Sequence, residues 1–174
     1  HAQTLKTDNN VPALSACGDY EEFTLRIGSG TNACNATLQI VMPQHILYQV
    51  GSAKLGGVPI PEIGATEAGA SVTLTIPAGT PTDELVITFN AKATCEAIET
   101  ANLPVDQRPA VTYNLSGCGA ATLTGDSEAI NIRFAVLNLT ITPAATQGVI
   151  GDNFTRTITL QNSGNGYINQ FTVE

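Results

Sequence analysis

Apolar and polar residues alternate singly along most of the chain. Phe23, Leu25 and Ile27 share one face of an extended segment, with Thr24 and Arg26 on the other. That period of two belongs to a β-strand half-buried against a core. The pattern recurs at Leu38, Ile40 and Met42, at Val72, Leu74 and Ile76, and at Leu85, Ile87, Phe89 and Ala91. It predicts further strands over Val111–Leu115, Ala129–Thr142, Thr155–Gln161 and Ile168–Val173. Turn-forming clusters separate the runs: Gly28-Ser29-Gly30-Thr31-Asn32, Gly56-Gly57, Pro77-Ala78-Gly79-Thr80-Pro81, Gly117-Cys118-Gly119 and Asn162-Ser163-Gly164-Asn165-Gly166. The nearest approach to a helix, Cys95 to Ala101, is short and is followed by Pro104. Many short strands with Gly- and Pro-rich turns predict an all-β fold, an Ig-like antiparallel β-sandwich. The chain has no Trp, so the core Trp of antibody domains has no counterpart.

An internal repeat divides the chain. Gly18-Asp19, Phe23-Thr24-Leu25, Ser29-Gly30 and Leu38-Gln39-Ile40 follow one another in the first part. Gly151-Asp152, Ile158-Thr159-Leu160, Ser163-Gly164 and Phe171-Thr172-Val173 follow in the same order later, at offsets from 151 − 18 = 133 to 158 − 23 = 135 residues. The expected organisation is one Ig-like sandwich over residues 3–137 and the first strands of a second, similar sandwich over residues 138–174. A lone half-sandwich exposes an apolar face and a strand edge, so completion by more of the same chain or by a neighbouring chain is expected.

Charged residues make up only 13% of the chain, and Thr, Ala, Asn, Gly and Val take their place. Few side chains remain for acid–base chemistry. The net charge of −8 opposes binding to nucleic acid or anionic membrane surfaces and suits an extracellular soluble protein. No run is long and apolar enough to span a bilayer. His1-Ala2-Gln3 is similar to the end of a signal peptide cleaved after Ala2, leaving residues 1–2 as a remnant. Four cysteines, Cys17, Cys34, Cys95 and Cys118, form no C-x-x-C pair. With only two histidines in the chain they do not suggest zinc, and they predict two disulfides in an exported protein. Of the three possible connectivities, Cys17–Cys34 and Cys95–Cys118 are expected, because each pair flanks segments that read as neighbouring strands.

Candidates for chemistry are few. His45 lies where a strand leaves the sheet and has no evident partner, so a solvated or locally bonded imidazole is expected. Ser29 lacks the G-x-S-x-G context of a nucleophile elbow. Glu21-Glu22 and Asp83-Glu84 are adjacent pairs whose members point to opposite strand faces, so neither pair alone forms a glycosidase-type site. Glu96 and Glu99 follow Cys95, and Asp126 and Glu128 share a face near a turn. Solvated edges are expected in preference to a Ca²⁺ site. Gly56-Gly57 has no following Lys-Ser/Thr and is no phosphate loop. The Asn-x-Ser/Thr triplets at Asn35, Asn114, Asn138 and Asn153 are close to chance in a chain so rich in Thr and Asn. The expectation is a protein with no catalytic residue, no metal and no cofactor.

Three stretches carry a family resemblance. Phe23-Thr24-Leu25, a Gly/Asn turn, Cys34 and a strand ending Met42-Pro43 are followed by Tyr48 and Gly51-Ser52, in the spacing Y-x-x-G-S. Ile76-Pro77-Ala78-Gly79-Thr80 then leads into Leu85-Val86-Ile87-Thr88-Phe89 and Ala93-Thr94-Cys95. Together these resemble the Ig-like surface-repeat domain of large exported bacterial adhesins, over most of residues 17–95 and again from 151. The resemblance implies an Ig-like sandwich, a cell-surface location, type IX secretion for the members found in gliding bacteria, and a role in attachment. It supplies no catalytic motif. The expected function is a non-catalytic structural or adhesive module at the N-terminal end of such an adhesin. Its partners would be further Ig-like repeats, substratum or cell-surface glycans. Two alternatives are a fibre subunit assembled by strand complementation and a non-catalytic carbohydrate-binding accessory domain. The second would call for an aromatic platform, and aromatics are only 5% of the chain.

Overall fold

The computed structural model describes residues 4–7, 11–28, 35–66, 70–78, 84–117, 122–142, 150–151, 153 and 155–166. Two compact units divide the chain, His1–Ile132 and Arg133–Glu174.

In the first unit the alternating runs become strands of two antiparallel sheets. One sheet runs β1 (Thr4–Thr7), β3 (Glu21–Gly28), β10 (Glu84–Ala93), β6 (Lys54–Leu55), β7 (Val58–Pro59), with β5 (Ile46–Tyr48) also paired to β10. The other runs β12 (Leu123–Asp126), β11 (Thr112–Gly117), β4 (Ala36–Val41), β9 (Ser71–Ile76), β8 (Glu62–Ile63). A short clasp pairs β2 (Leu14–Ser15) with β13 (Ile132–Arg133). The alternation fixes register, because a slip of one residue would turn every apolar side chain outward. Phe23, Leu25 and Ile27 of β3 stand against Phe89, Ile87 and Leu85 of β10, and Leu38 and Ile40 of β4 against Leu74 and Val72 of β9. All ten are buried. The fold is the Ig-like antiparallel sandwich that the pattern predicts.

Aromatic residues take the centre that a Trp would fill. The Phe89 ring stacks with Phe23 at 5.3 Å and with Tyr48 at 5.9 Å between centroids, and meets the edge of Tyr113 at 6.4 Å. Tyr113 lies on the opposite sheet, so this cluster joins the two layers. Gly56 and Gly57, at φ 57° and 84°, form the two-residue turn between β6 and β7 that needs left-handed backbone at both positions.

One expectation is corrected. Residues 129–142 do not form one strand. Ile130 and Ile132 are buried in the first unit's core, whereas β14 (Leu137–Thr142) belongs to the second unit, where its residues are exposed. Cys95–Thr100 forms a short 3₁₀ turn closed by Ala101 N–H to the Ile98 carbonyl at 3.1 Å. The strand expected over Ile168–Val173 lies outside the described residues.

Within the second unit, β14 pairs antiparallel with β15 (Thr157–Asn162). The register places Leu139 opposite Leu160 and Ile141 opposite Ile158. These four residues and Leu137 form one apolar face, and Asn138, Thr140, Thr142, Thr157, Thr159 and Gln161 form the polar one.

Candidate functional site

The Tyr48-x-x-Gly51-Ser52 stretch proves to be the frame of a carboxylate clamp. Tyr48 ends β5, and Gly51 turns the chain with φ 81°. Glu62, on β8 of the opposite sheet, reaches into that turn. Its Oε1 accepts from the Tyr48 hydroxyl at 2.7 Å and from the Ala53 N–H at 2.9 Å, and its Oε2 accepts from the Gly51 N–H at 2.7 Å. Ser52 fixes the turn from the other side. Its hydroxyl donates to the Gln49 carbonyl at 2.6 Å and accepts the Asn90 N–H at 3.0 Å, while the Asn90 amide donates to Gln49 Oε1 at 2.8 Å. Burial, then the bond to Glu62, pushes the Tyr48 hydroxyl well above the usual phenol range. A carboxylate holding three donors is engaged in structure, and a tyrosine held protonated is a poor base. The clamp ties the two sheets together. Sequence reading found Tyr48, Gly51 and Ser52 but missed Glu62, whose only signal is a lone carboxylate in the apolar run Val58–Ile63.

A covalent tie lies at the end of the same sheet. Ahead of β3 the chain crosses the end of β10, where Ala16 bridges Ala93 in parallel, and this brings Cys17 beside Cys95. The Lys92 ammonium lies 4.6 Å from the centre of the Tyr20 ring, and Cys17 is disulfide-bonded to Cys95 with Cα atoms 4.5 Å apart. The expected Cys17–Cys34 and Cys95–Cys118 pairings are therefore overturned. Cys17, ahead of β3, pairs with the first residue of the 3₁₀ turn that follows β10, not with the segment that follows β3 in the sequence. Cys34 and Cys118 lie outside the described residues.

The remaining candidates are dispersed. His45 occupies the turn between β4 and β5 with φ 66°, a left-handed conformation that histidine adopts more readily than most residues. Its carbonyl accepts the Thr94 N–H at 2.9 Å, so its role there is local. Glu21, Glu22, Glu96, Glu99 and Glu128 are exposed. Asp126 accepts the Thr112 hydroxyl at 2.6 Å across the β11–β12 ladder. Ser29, Asp83 and residues 1–2 lie outside the described residues. Among the described residues no three His, Cys, Asp or Glu side chains come together as metal ligands, and no helix is long and apolar enough to cross a membrane.

What the structure does present is the β14–β15 hairpin. Leu137, Leu139, Ile141 and Ile158 are between 40% and 59% exposed on its apolar face. Its register is pinned by asparagines. Asn162 Oδ1 accepts the N–H groups of Val136 and Gly164 at 3.1 and 3.0 Å, Asn165 Oδ1 accepts that of Phe134 at 2.9 Å, and Asn138 Nδ2 donates to the Ser163 hydroxyl at 2.9 Å. Gly164 and Gly166 lie directly against the Phe134 backbone, where a Cβ would collide. The Asn-Ser-Gly-Asn-Gly cluster is thus a turn that locks one pairing.

No family model matches the chain, and no curated protein matches it. Among solved structures it is similar to a non-cellulosomal cohesin from the hyperthermophilic archaeon Archaeoglobus fulgidus. That match has a TM-score of 0.40 and 9% identity, over 77% of this chain and 88% of the cohesin. A likeness this loose leaves the partners and activity of this chain untouched.

Proposed function

We propose that the chain is a non-catalytic, repeat-built module of a large exported bacterial adhesin of the surface-repeat type, acting outside the cell. The observation that carries this reading is a pairing made twice. In the first unit Leu5 stands opposite Ile27 and Thr7 opposite Leu25; in the second, Leu139 stands opposite Leu160 and Ile141 opposite Ile158. The separations are 139 − 5 = 134 and 160 − 27 = 133 residues, whereas the sequence repeat sets Leu160 against Leu25, at 160 − 25 = 135, two residues along the same strand face. An antiparallel pair of alternating strands thus recurs in the second unit, which supports the repeat reading. The Cys17–Cys95 disulfide supports an oxidising compartment. The described carboxylates, solvated or bonded within the fold, support a mechanical or adhesive role.

The test is the mass of the native protein recovered from its source, with and without reductant, together with its fractionation. The reading expects a chain far heavier than 18.1 kDa in the surface fraction, with its disulfides formed. A reduced protein of about that mass in the cytosol would overturn it.

A further inference from the structure

The Cys17–Cys95 bridge closes a loop with a sequence separation of 78, and that loop encloses most of the first unit's core. The strands β3 to β10 all lie within it, and they belong to both layers: β3, β5, β6, β7 and β10 to one sheet, β4, β8 and β9 to the other. The stack of Phe89 on Phe23 and Tyr48 is inside the loop, as are the Glu62 bonds to Tyr48, Gly51 and Ala53. Outside it stand β1 and β2 on one side and β11 to β13 on the other. These outer segments meet beside the bridge. Ala16 bridges Ala93, the Leu14 N–H donates to the Asn131 carbonyl at 2.9 Å, and β2 pairs with β13, where the first unit ends. The chain therefore reaches the bridge and leaves the unit at neighbouring points.

We infer that the Cys17–Cys95 bridge is a tension bypass, which carries a pull on the chain across the first unit and leaves β3 to β10 outside the load path. Two connections join Cys17 to Cys95. The bridge spans 4.5 Å between Cα atoms, whereas the loop backbone reaches about 260–280 Å when extended, at ~3.3–3.6 Å per residue. The shorter connection becomes taut first and takes the load. Because the loop holds strands of both sheets, the part that is spared keeps two facing layers when the outer segments are drawn away. The inference rests on the mechanical reading above and gives such a module a fixed limit of extension. Both cysteines are exposed, so a dithiol can remove that limit. One thiolate of the reductant attacks the bridge and the second displaces the cysteine it holds. The reductant leaves as its own disulfide, and Cys17 and Cys95 each keep a proton as thiols.

The experiment stretches the full chain between non-thiol attachments at its two ends in a single-molecule trap, oxidised and then with dithiothreitol. Cys34 and Cys118 are replaced by Ser, so that one bridge sets the length. The oxidised chain at full stretch is expected to be shorter than the reduced one by about 260–280 Å, the extended length of the loop. Replacing Cys17 and Cys95 by Ser as well should abolish the difference. Equal lengths with and without dithiothreitol would overturn the inference, as would a difference that survives in the cysteine-free chain. If the Ser variant does not fold and oxidise, the parent chain decides: its oxidised form must fall short of its reduced form by at least the same length, and equal lengths overturn the bypass. The mass and fractionation of the native protein decide the adhesin reading separately. A heavy surface protein whose oxidised first unit stretches fully would sink the bypass and leave that reading standing.

Discussion

Replacing Glu62 by Gln tests whether the carboxylate clamp stabilises the sandwich. The change is isosteric. One oxygen remains and can keep the Tyr48 hydroxyl and the Ala53 N–H, but the new NH₂ group turns a donor toward the Gly51 N–H. A net hydrogen bond to a charged group contributes about 1.5–3 kcal/mol. Gly51 is exposed, so water replaces part of that loss. The expected cost is therefore about 1–2 kcal/mol. Glu62→Ala should cost more, about 2–3 kcal/mol, because the partly buried Tyr48 hydroxyl then loses its acceptor. Urea unfolding of both variants, with Tyr48→Phe and the Tyr48→Phe/Glu62→Gln double variant, gives the coupling directly. A coupling of about 0.5 kcal/mol or more is expected for residues sharing one bond. A Glu62→Gln variant within about 0.5 kcal/mol of the parent, or single effects that simply add, would refute the clamp as a stabilising device.

Peptide mapping without reductant should recover Cys17 linked to Cys95. Replacing Cys17 and Cys95 by Ser should cost about 4 kcal/mol on the chain-entropy scale, for a sequence separation of 78; a loss below about 1 kcal/mol would contradict a well-fitted bridge. In alkaline titration followed by phenolate absorbance, Tyr48 and Tyr113 should ionise above the usual phenol range, since burial raises both. A phenol whose folded pKa is raised contributes stability that is complete below its unfolded value, about 10, and is lost as pH climbs toward the folded value. Unfolding stability should therefore begin to fall above about pH 10, and a profile still flat about 1.5 pH units higher would refute this. Gly164→Val should release the β14–β15 amides to exchange while the first unit's urea midpoint stays unchanged, because its Cβ meets the Phe134 carbonyl.

Strand positions were legible because the core is built by simple alternation. Phe23, Leu25, Ile27, Leu38, Ile40, Val72, Leu74, Leu85, Ile87 and Phe89 all point where a period of two sends them, into the space between the sheets. Partners that depend on sheet order were not legible. Neither the Ala16–Ala93 bridge that brings Cys17 beside Cys95 nor the crossing that brings Glu62 to Tyr48 leaves a mark in local sequence. Residues 129–142 misled for a related reason. Alternation runs on past Ile132, but what Ile130 and Ile132 bury against ends there, and Leu137 begins a different sheet.

The β1–β3 and β14–β15 pairs share an alternating pattern but not a degree of burial. Leu25 and Ile27 are 0% and 2% exposed, whereas Leu139 and Ile158 are 59% and 51% exposed. The difference lies in what surrounds each pair. In the first unit β10 occupies the second edge of β3, and the facing sheet closes over its apolar face. An isolated two-stranded hairpin is marginal in water, and apolar burial cannot hold one whose apolar face is open. The asparagine-rich turn takes over that task in the second unit, fixing the register by polar bonds and close glycine packing. A pairing specified locally and left open on its apolar face can add strands later without changing register.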